Sequence, residues 1–98
     1  MRSDRLYLED IVAAADAIQR FIVSIPDEST FRDDELRQSA VLQKLIVIGE
    51  AAAHLSSEFR SRCTSVPWPD IIAFHNIAVH AYFSVDWSIV WVTTQDDV

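Results

Sequence analysis

The chain has 98 residues, half of them hydrophobic, with one glycine and three prolines, which predicts a single compact domain over residues 1–98. Its formal net charge of −7 argues against DNA or RNA capture by a broad basic field, although a small basic groove stays compatible with it. The one cysteine, Cys63, excludes an internal disulfide and favours a cytoplasmic protein, and neither a signal peptide nor a membrane span is predicted.

Apolar residues recur at steps of three and four from Tyr7 to Ile25, which predicts an amphipathic first helix. Ser3 or Asp4 can cap its start, and Pro26 ends it. The segment that follows, PDESTFRDDE, is predicted to be a polar loop.

A second apolar stripe runs from Val41 to Phe59, with a further set of apolar residues beside it. So wide an arc suits a central helix that touches neighbours on two sides. Gly49 costs this helix about 1 kcal/mol relative to alanine. We therefore expect it to let another backbone approach closely.

A polar connection is predicted over residues 60–66, and Pro69 fits the first turn of a short third helix. Asp86 can cap a fourth helix, on which Trp87 and Trp91 form a hydrophobic face or an interface. No strand is predicted, so the expected fold is an all-α, antiparallel four-helix bundle with short loops. Because a chain of this size buries only roughly 60–65% of its unfolded surface, a homodimer is favoured.

The stretch FHNIAVHAYF, residues 74–83, places polar groups inside an apolar run, where they are costly without a purpose. On a helix, Asn76 and His80 share a face, while His75 lies about 140° around from His80. A helix that ends around His80 could turn the phenol of Tyr82 beside the imidazole. Hydrogen-bonded core residues and a reaction centre both remain open interpretations.

Neither a chemical role for the third histidine nor a metal site built from the other two is favoured. His54 is expected to be a polar position at a helix end. Metal binding by His75, His80 and Asp70 is disfavoured, because five-residue steps splay the ligands around the helix. No metal or cofactor is therefore predicted.

The run PW-x-D-I-I-x-x-x-N-x-x-x-H-x-Y-F-x-V-D-x-x-I-V-W resembles the HepT-like branch of the HEPN domains, and so does the upstream stretch IGEAA-x-HLS-x-EFR. The resemblance covers about residues 37–98. It implies a small all-α homodimer that acts as a metal-independent endoribonuclease toxin. The expected partner is a minimal nucleotidyltransferase antitoxin, called MntA, and the expected substrate is RNA.

The family motif is an arginine, four residues, a histidine, one residue and a tyrosine. Carried onto this chain, the catalytic histidine is His80, the tyrosine is Tyr82 and the motif asparagine is Asn76. His75 occupies the arginine position. A histidine can supply either proton role near neutrality, whereas arginine grips phosphate and stays charged.

This departure implies reduced activity, because losing a group that stabilises developing charge commonly lowers a rate about 10²–10³-fold. The resemblance also implies that the antitoxin attaches AMP to Tyr82, where added negative charge would repel RNA. The alternatives are a catalytically inactive HEPN module that serves as a dimeric protein- or nucleotide-binding platform, and a plain structural bundle. Similar proteins usually run on past residues 95–97, so a bundle shortened at Val98 is expected.

Overall fold

The computed structural model describes residues 2–81 and 84–96, Asp96 for its backbone only, and within them it contains six helices and no strand. The helices are α1 (Asp4–Ile22), α2 (Glu28–Arg32), α3 (Glu35–His54), α4 (Ser57–Arg62), α5 (Trp68–His80) and α6 (Trp87–Asp96). The all-α prediction is confirmed: α1, α3, α5 and α6 are the four predicted helices, and α2 and α4 are short additions. None of the helices in the described residues is both long and apolar enough to cross a membrane.

The helices α1 and α3 run antiparallel, as contacts at both of their ends establish. The Asp4 carboxylate, at the start of α1, accepts hydrogen bonds from the backbone N–H (2.9 Å) and hydroxyl (2.7 Å) of Ser56, just beyond α3. At the opposite end, the Arg37 guanidinium donates to the carbonyl of Phe21 at 2.7 Å. Ser3 caps α1 as predicted, accepting from the N–H of Leu6.

The core lies where α1, α2, α3 and α6 meet, and its buried residues come from every one of them, including Ile18, Phe31, Val41 and Val90. The prediction of a polar loop between α1 and α3 was wrong at Phe31, which is fully buried. Asp27 caps α2 by accepting from the N–H of Thr30, and this single helical turn directs the phenyl ring inward.

The tryptophans of α6 complete this side of the core. The ring centroids of Trp91 and Trp87 lie 5.4 and 6.2 Å from that of Phe31. The hydrophobic face predicted for these two residues therefore packs within the chain rather than on an open surface.

The break after α3 also corrects the sequence analysis, which extended one apolar stripe to Phe59. Leu55 leaves the helical region, with φ −64° and ψ 145°, and Ser56 caps α4 by accepting from the N–H of Phe59. The predicted polar connection at residues 60–66 is thus helical up to Arg62. Leu55 is nevertheless buried, so the apolar stripe marked packing correctly and the helix end incorrectly.

Candidate functional site

The helix α5 presents the polar residues of the FHNIAVHAYF stretch, and its ends follow from local chemistry. Pro69 occupies the first turn, as predicted. The helix ends at His80 because Ala81 adopts φ −142° and ψ 57°, with its N–H donating to the carbonyl of Ile77 at 2.8 Å. Beyond the helix, the N–H of Ser84 donates to the carbonyl of Ala81 at 2.8 Å.

The start of α6 is also fixed by local chemistry. Asp86 precedes α6 and its carboxylate accepts from the N–H of Ser88 at 2.9 Å. The predicted cap and the predicted helix end near His80 are both confirmed. His80 therefore lies at the last position of α5, beside a short connection to α6.

One face of α5 is open to solvent over its whole length. Because a helix turns about 100° per residue, residues spaced by three, four and seven positions share a face. The exposed residues on the face centred on His80 are Pro69, Ala73, Asn76, Ile77 and His80. The structure thus brings Asn76 and His80 onto one accessible surface, and His80 is not a core histidine.

His75 points elsewhere. It is half-buried and lies against Gly49 of α3, where a Cβ added to the glycine would meet its Cγ at 2.9 Å and its Cδ2 at 3.3 Å. A close approach at Gly49 was predicted for another backbone; the structure shows a close approach, made by the side chain of His75 on α5. His75, which the sequence resemblance aligns with the motif's arginine, therefore begins on the α3 side of α5, away from the face of His80.

Tyr82 lies outside the described residues. The chemical roles assigned to Asn76, His75 and His80 stay predictions. An exposed imidazole can accept or donate a proton, and the neighbouring amide can hold a phosphate or sugar oxygen by hydrogen bonding. No cluster of three or more histidine, cysteine or acidic side chains that could hold a metal ion occurs in the described part of the chain.

The carboxylates whose pKa is perturbed lie at other helix starts. The Ser56 hydroxyl, followed by the Ser56 backbone N–H, lowers the pKa of Asp4 below its ordinary value. The backbone N–H of Thr30 lowers the pKa of Asp27, and that of Arg37 lowers the pKa of Asp34. The shifts of Asp27 and Asp34 therefore report helix capping, and that of Asp4 reports the contact between α1 and Ser56; none of the three lies at the candidate site.

A cavity of about 320 Å³ opens between α1 and α3, on the opposite side of α3 from Gly49. Its polar groups already pair with one another: Arg2 forms an ion pair with Asp10 at 2.7 Å, and the rings of Tyr7 and His54 stack with centroids 5.2 Å apart. His54 is exposed and donates from Nδ1 to the carbonyl of Glu50 at 2.8 Å. Sequence reasoning placed His54 at a helix end but missed its stacking on Tyr7, since no local pattern reports a contact across 47 positions.

Comparison with known proteins supports the sequence resemblance over almost the entire chain. The profile of the family described as "Ribonuclease HepT-like" matches residues 11–98. No solved structure matches significantly.

Three relatives span nearly the whole chain. "Putative RNase MJ1380" of Methanocaldococcus jannaschii is 31% identical over 99% of this chain and 88% of its own length. "Probable ribonuclease HepT" of Thermococcus cleftensis is 35% identical over 99% and 87%. "Putative RNase TTE0752" of Caldanaerobacter subterraneus subsp. tengcongensis is 32% identical over 100% and 87%. The chain belongs to the HepT-like ribonuclease family of HEPN domains.

Proposed function

We propose that this protein is a metal-independent endoribonuclease of a toxin–antitoxin system, with His80 as its proton-transferring residue. The observation that carries the proposal is the exposure of His80 at the end of α5, one helical turn from the exposed Asn76. The names of the relatives, which call them ribonucleases, support the same activity.

RNA can be cut without a metal when its own 2′-hydroxyl attacks the adjacent phosphorus. A base removes the hydroxyl proton, the bond from phosphorus to the 5′-oxygen breaks, and an acid protonates that oxygen as it leaves. The products are a 2′,3′-cyclic phosphate and a 5′-hydroxyl. Two imidazoles facing one phosphate, one neutral and one protonated, can fill both roles near neutral pH.

A homodimer would supply the second imidazole. The exposed apolar side chains of α5 and α6 include Ile77, Val79, Ile89 and Val92, which are 46–55% exposed. Ala73 is small enough to let a second α5 approach closely. Two copies related by a two-fold axis along this face would bring both His80 residues into one groove.

His75 limits the activity that this groove can have. An imidazole half-buried against Gly49 lacks the two-pronged guanidinium with which the motif's arginine would clamp phosphate. We therefore expect cleavage about 10²–10³-fold slower than with arginine at that position.

The regulatory partner is proposed to be an MntA-like nucleotidyltransferase that attaches AMP to Tyr82. Tyr82 follows His80 by two positions, so a modified side chain there would carry a bulky anion close to the RNA groove. Repulsion between that anion and RNA phosphates would switch the enzyme off. The protein would work in the cytoplasm, where both RNA and the partner are present.

The test is RNA cleavage by the purified protein, with a chelator present throughout, by the His75→Arg variant, and by His75→Arg combined with His80→Ala. The arginine variant should cleave about 10²-fold faster than the unchanged chain, with cyclic phosphate ends, and the double variant should be inactive. Leu36→Ala, at an exposed position of α3, serves as the control and should cleave like its parent. An arginine variant as inert as the double variant would overturn the ribonuclease proposal.

A second function is favoured by the half-buried position of His75 and the net charge of −7. In this alternative the protein is a catalytically silent HEPN dimer that binds a partner protein or a nucleotide. It predicts a stable complex with the nucleotidyltransferase and no RNA turnover, both with and without His75→Arg. Turnover in the arginine variant would exclude it.

A further inference from the structure

We propose that Gly49 of α3 is a positioning residue for the candidate site, holding α5 through His75 at the depth that places His80 in the catalytic groove. This proposal rests on the ribonuclease function proposed above. It concerns a residue on a different helix, outside the His75–Tyr82 motif.

The packing at Gly49 leaves no space for a side chain. The glycine is buried, and a Cβ built on it would lie 2.9 Å from Cγ of His75 and 3.3 Å from its Cδ2, with Cβ of His75 closer still. Cβ is the root of the His75 side chain, so rotation of the imidazole cannot relieve this overlap. Only a movement of one helix relative to the other can do so.

Gly49 is also unfavourable where it stands. It lies inside the 20-residue helix α3, at a position where alanine would stabilise an isolated helix. The glycine shows no positive φ, so no turn or left-handed conformation requires it. The close approach of His75 is the reason that remains.

A displacement of α5 at this contact would reach the candidate site. The helix α5 packs chiefly on α3, with Ala78 buried and Ile71, Ile72 and Phe74 half-buried, so an added Cβ at Gly49 would displace α5 relative to α3. His80 follows His75 by five residues, about 7.5 Å along a rigid helix. A shift of α5 at position 75 is therefore transmitted to His80, and a displacement of about 1 Å in an active site can lower a rate about 10²-fold.

The three histidines of the chain provide a direct readout. Their imidazole signals can be assigned by single substitution and followed by NMR in the full chain. Gly49→Ala should shift the signals of His75 and His80 and leave those of His54, which stacks on Tyr7 on the other side of α3. Gln43→Ala, at an exposed position of α3, is the matched control and should shift none of them.

A compensating substitution separates positioning from a general loss of packing. Combining Gly49→Ala with His75→Gly moves the small residue from one helix to the other and removes the overlapping Cβ. The His80 signals of this double variant should return towards those of His75→Gly alone. The proposal is overturned if Gly49→Ala raises the melting temperature without moving the His80 signals, or if the double variant folds and its His80 signals stay displaced.

Activity gives the second arm of the test. In the His75→Arg version, Gly49→Ala should lower kcat about 10²-fold and change KM much less, because the exposed groove still binds RNA. If His75→Arg does not cleave RNA, the ribonuclease function fails and the NMR arm alone decides on Gly49. If it cleaves and Gly49→Ala leaves kcat unchanged, the positioning role fails and the ribonuclease function stands.

Discussion

The helices α3 and α5 are both rich in apolar residues, and the fold covers them very differently. Seven residues of α3 are buried, including Val41, Leu45 and Ala52, because α1 covers one side and α5 the other. In α5 only Ala78 is buried, although the helix also carries Ile71, Ile72, Phe74, Ile77 and Val79. Hydrophobicity alone therefore does not determine which helix lies at the centre of the bundle.

The exposed side of α5 is the surface that the proposed dimer would cover. Scattered exposed apolar residues are normal, but a continuous exposed face on one helix marks an interaction surface. Here that face also carries Asn76 and His80. The surface that the chain leaves uncovered is thus the one on which its chemistry is proposed to occur.

The largest expected effect tests the covered part of the molecule, which is the core between α1, α2, α3 and α6. Phe31→Ala should lower the free energy of unfolding by about 3–5 kcal/mol, because the ring is fully buried against Trp87 and Trp91. Leu36→Ala is the control: Leu36 is 78% exposed and its truncation should change stability by less than about 0.5 kcal/mol. Urea unfolding of both variants measures the difference, and equal losses would contradict the packing of α2 in the core.

Much of this core could be predicted from periodicity, because α1 and α3 repeat apolar residues at helical spacing. Phe31 could not, since a single apolar residue among charged neighbours has no period and its burial is decided by α6, which lies more than 50 positions later. The helix break at Leu55 was equally hidden. A capping serine at position 56 ends one helix and starts another without interrupting the apolar stripe.

The candidate site was predictable in part. The turn chemistry of Asp86 correctly placed the end of α5 near His80, and helical spacing correctly grouped Asn76 with His80. The packing of His75 on Gly49 was anticipated only as an approach of some backbone to the glycine. Which residue of which helix fills that space is a tertiary fact that spacing along one helix cannot supply.

A smaller effect is expected from a substitution on the exposed face of α5. Ile77→Asp should barely change the stability of the single chain, because Ile77 is already 46% exposed. It should raise the dimer dissociation constant about 10²-fold, since a two-fold axis along this face would bring two like charges together. Analytical ultracentrifugation of this variant and of Leu36→Asp, which makes the same charge change at an exposed position of α3, separates the interface from net charge. A dimer that survives Ile77→Asp unweakened would place the interface elsewhere.

The smallest effect concerns the capped corner where α1 meets α4. The Ser56 hydroxyl and then its N–H lower the pKa of Asp4 in the folded chain below the ordinary value of 3.8. A carboxylate whose folded pKa is depressed stabilises the fold at pH values above its unfolded pKa, and that stabilisation is lost as the pH falls through the folded pKa. Asp4→Asn should therefore flatten the decline of unfolding free energy below about pH 4, leaving the smaller slope that Asp27 and Asp34 supply.

Ser56→Ala provides the matching change on the other side of the same hydrogen bond. It removes the hydroxyl but keeps the backbone N–H. It should therefore flatten the decline of unfolding free energy at low pH less than Asp4→Asn does. At neutral pH it should also lower stability by about 1 kcal/mol, because the N-cap of α4 is lost. If the effects of the two substitutions on the decline of unfolding free energy at low pH are additive when combined, Asp4 and Ser56 act independently. Their contact then does not couple α1 to α4.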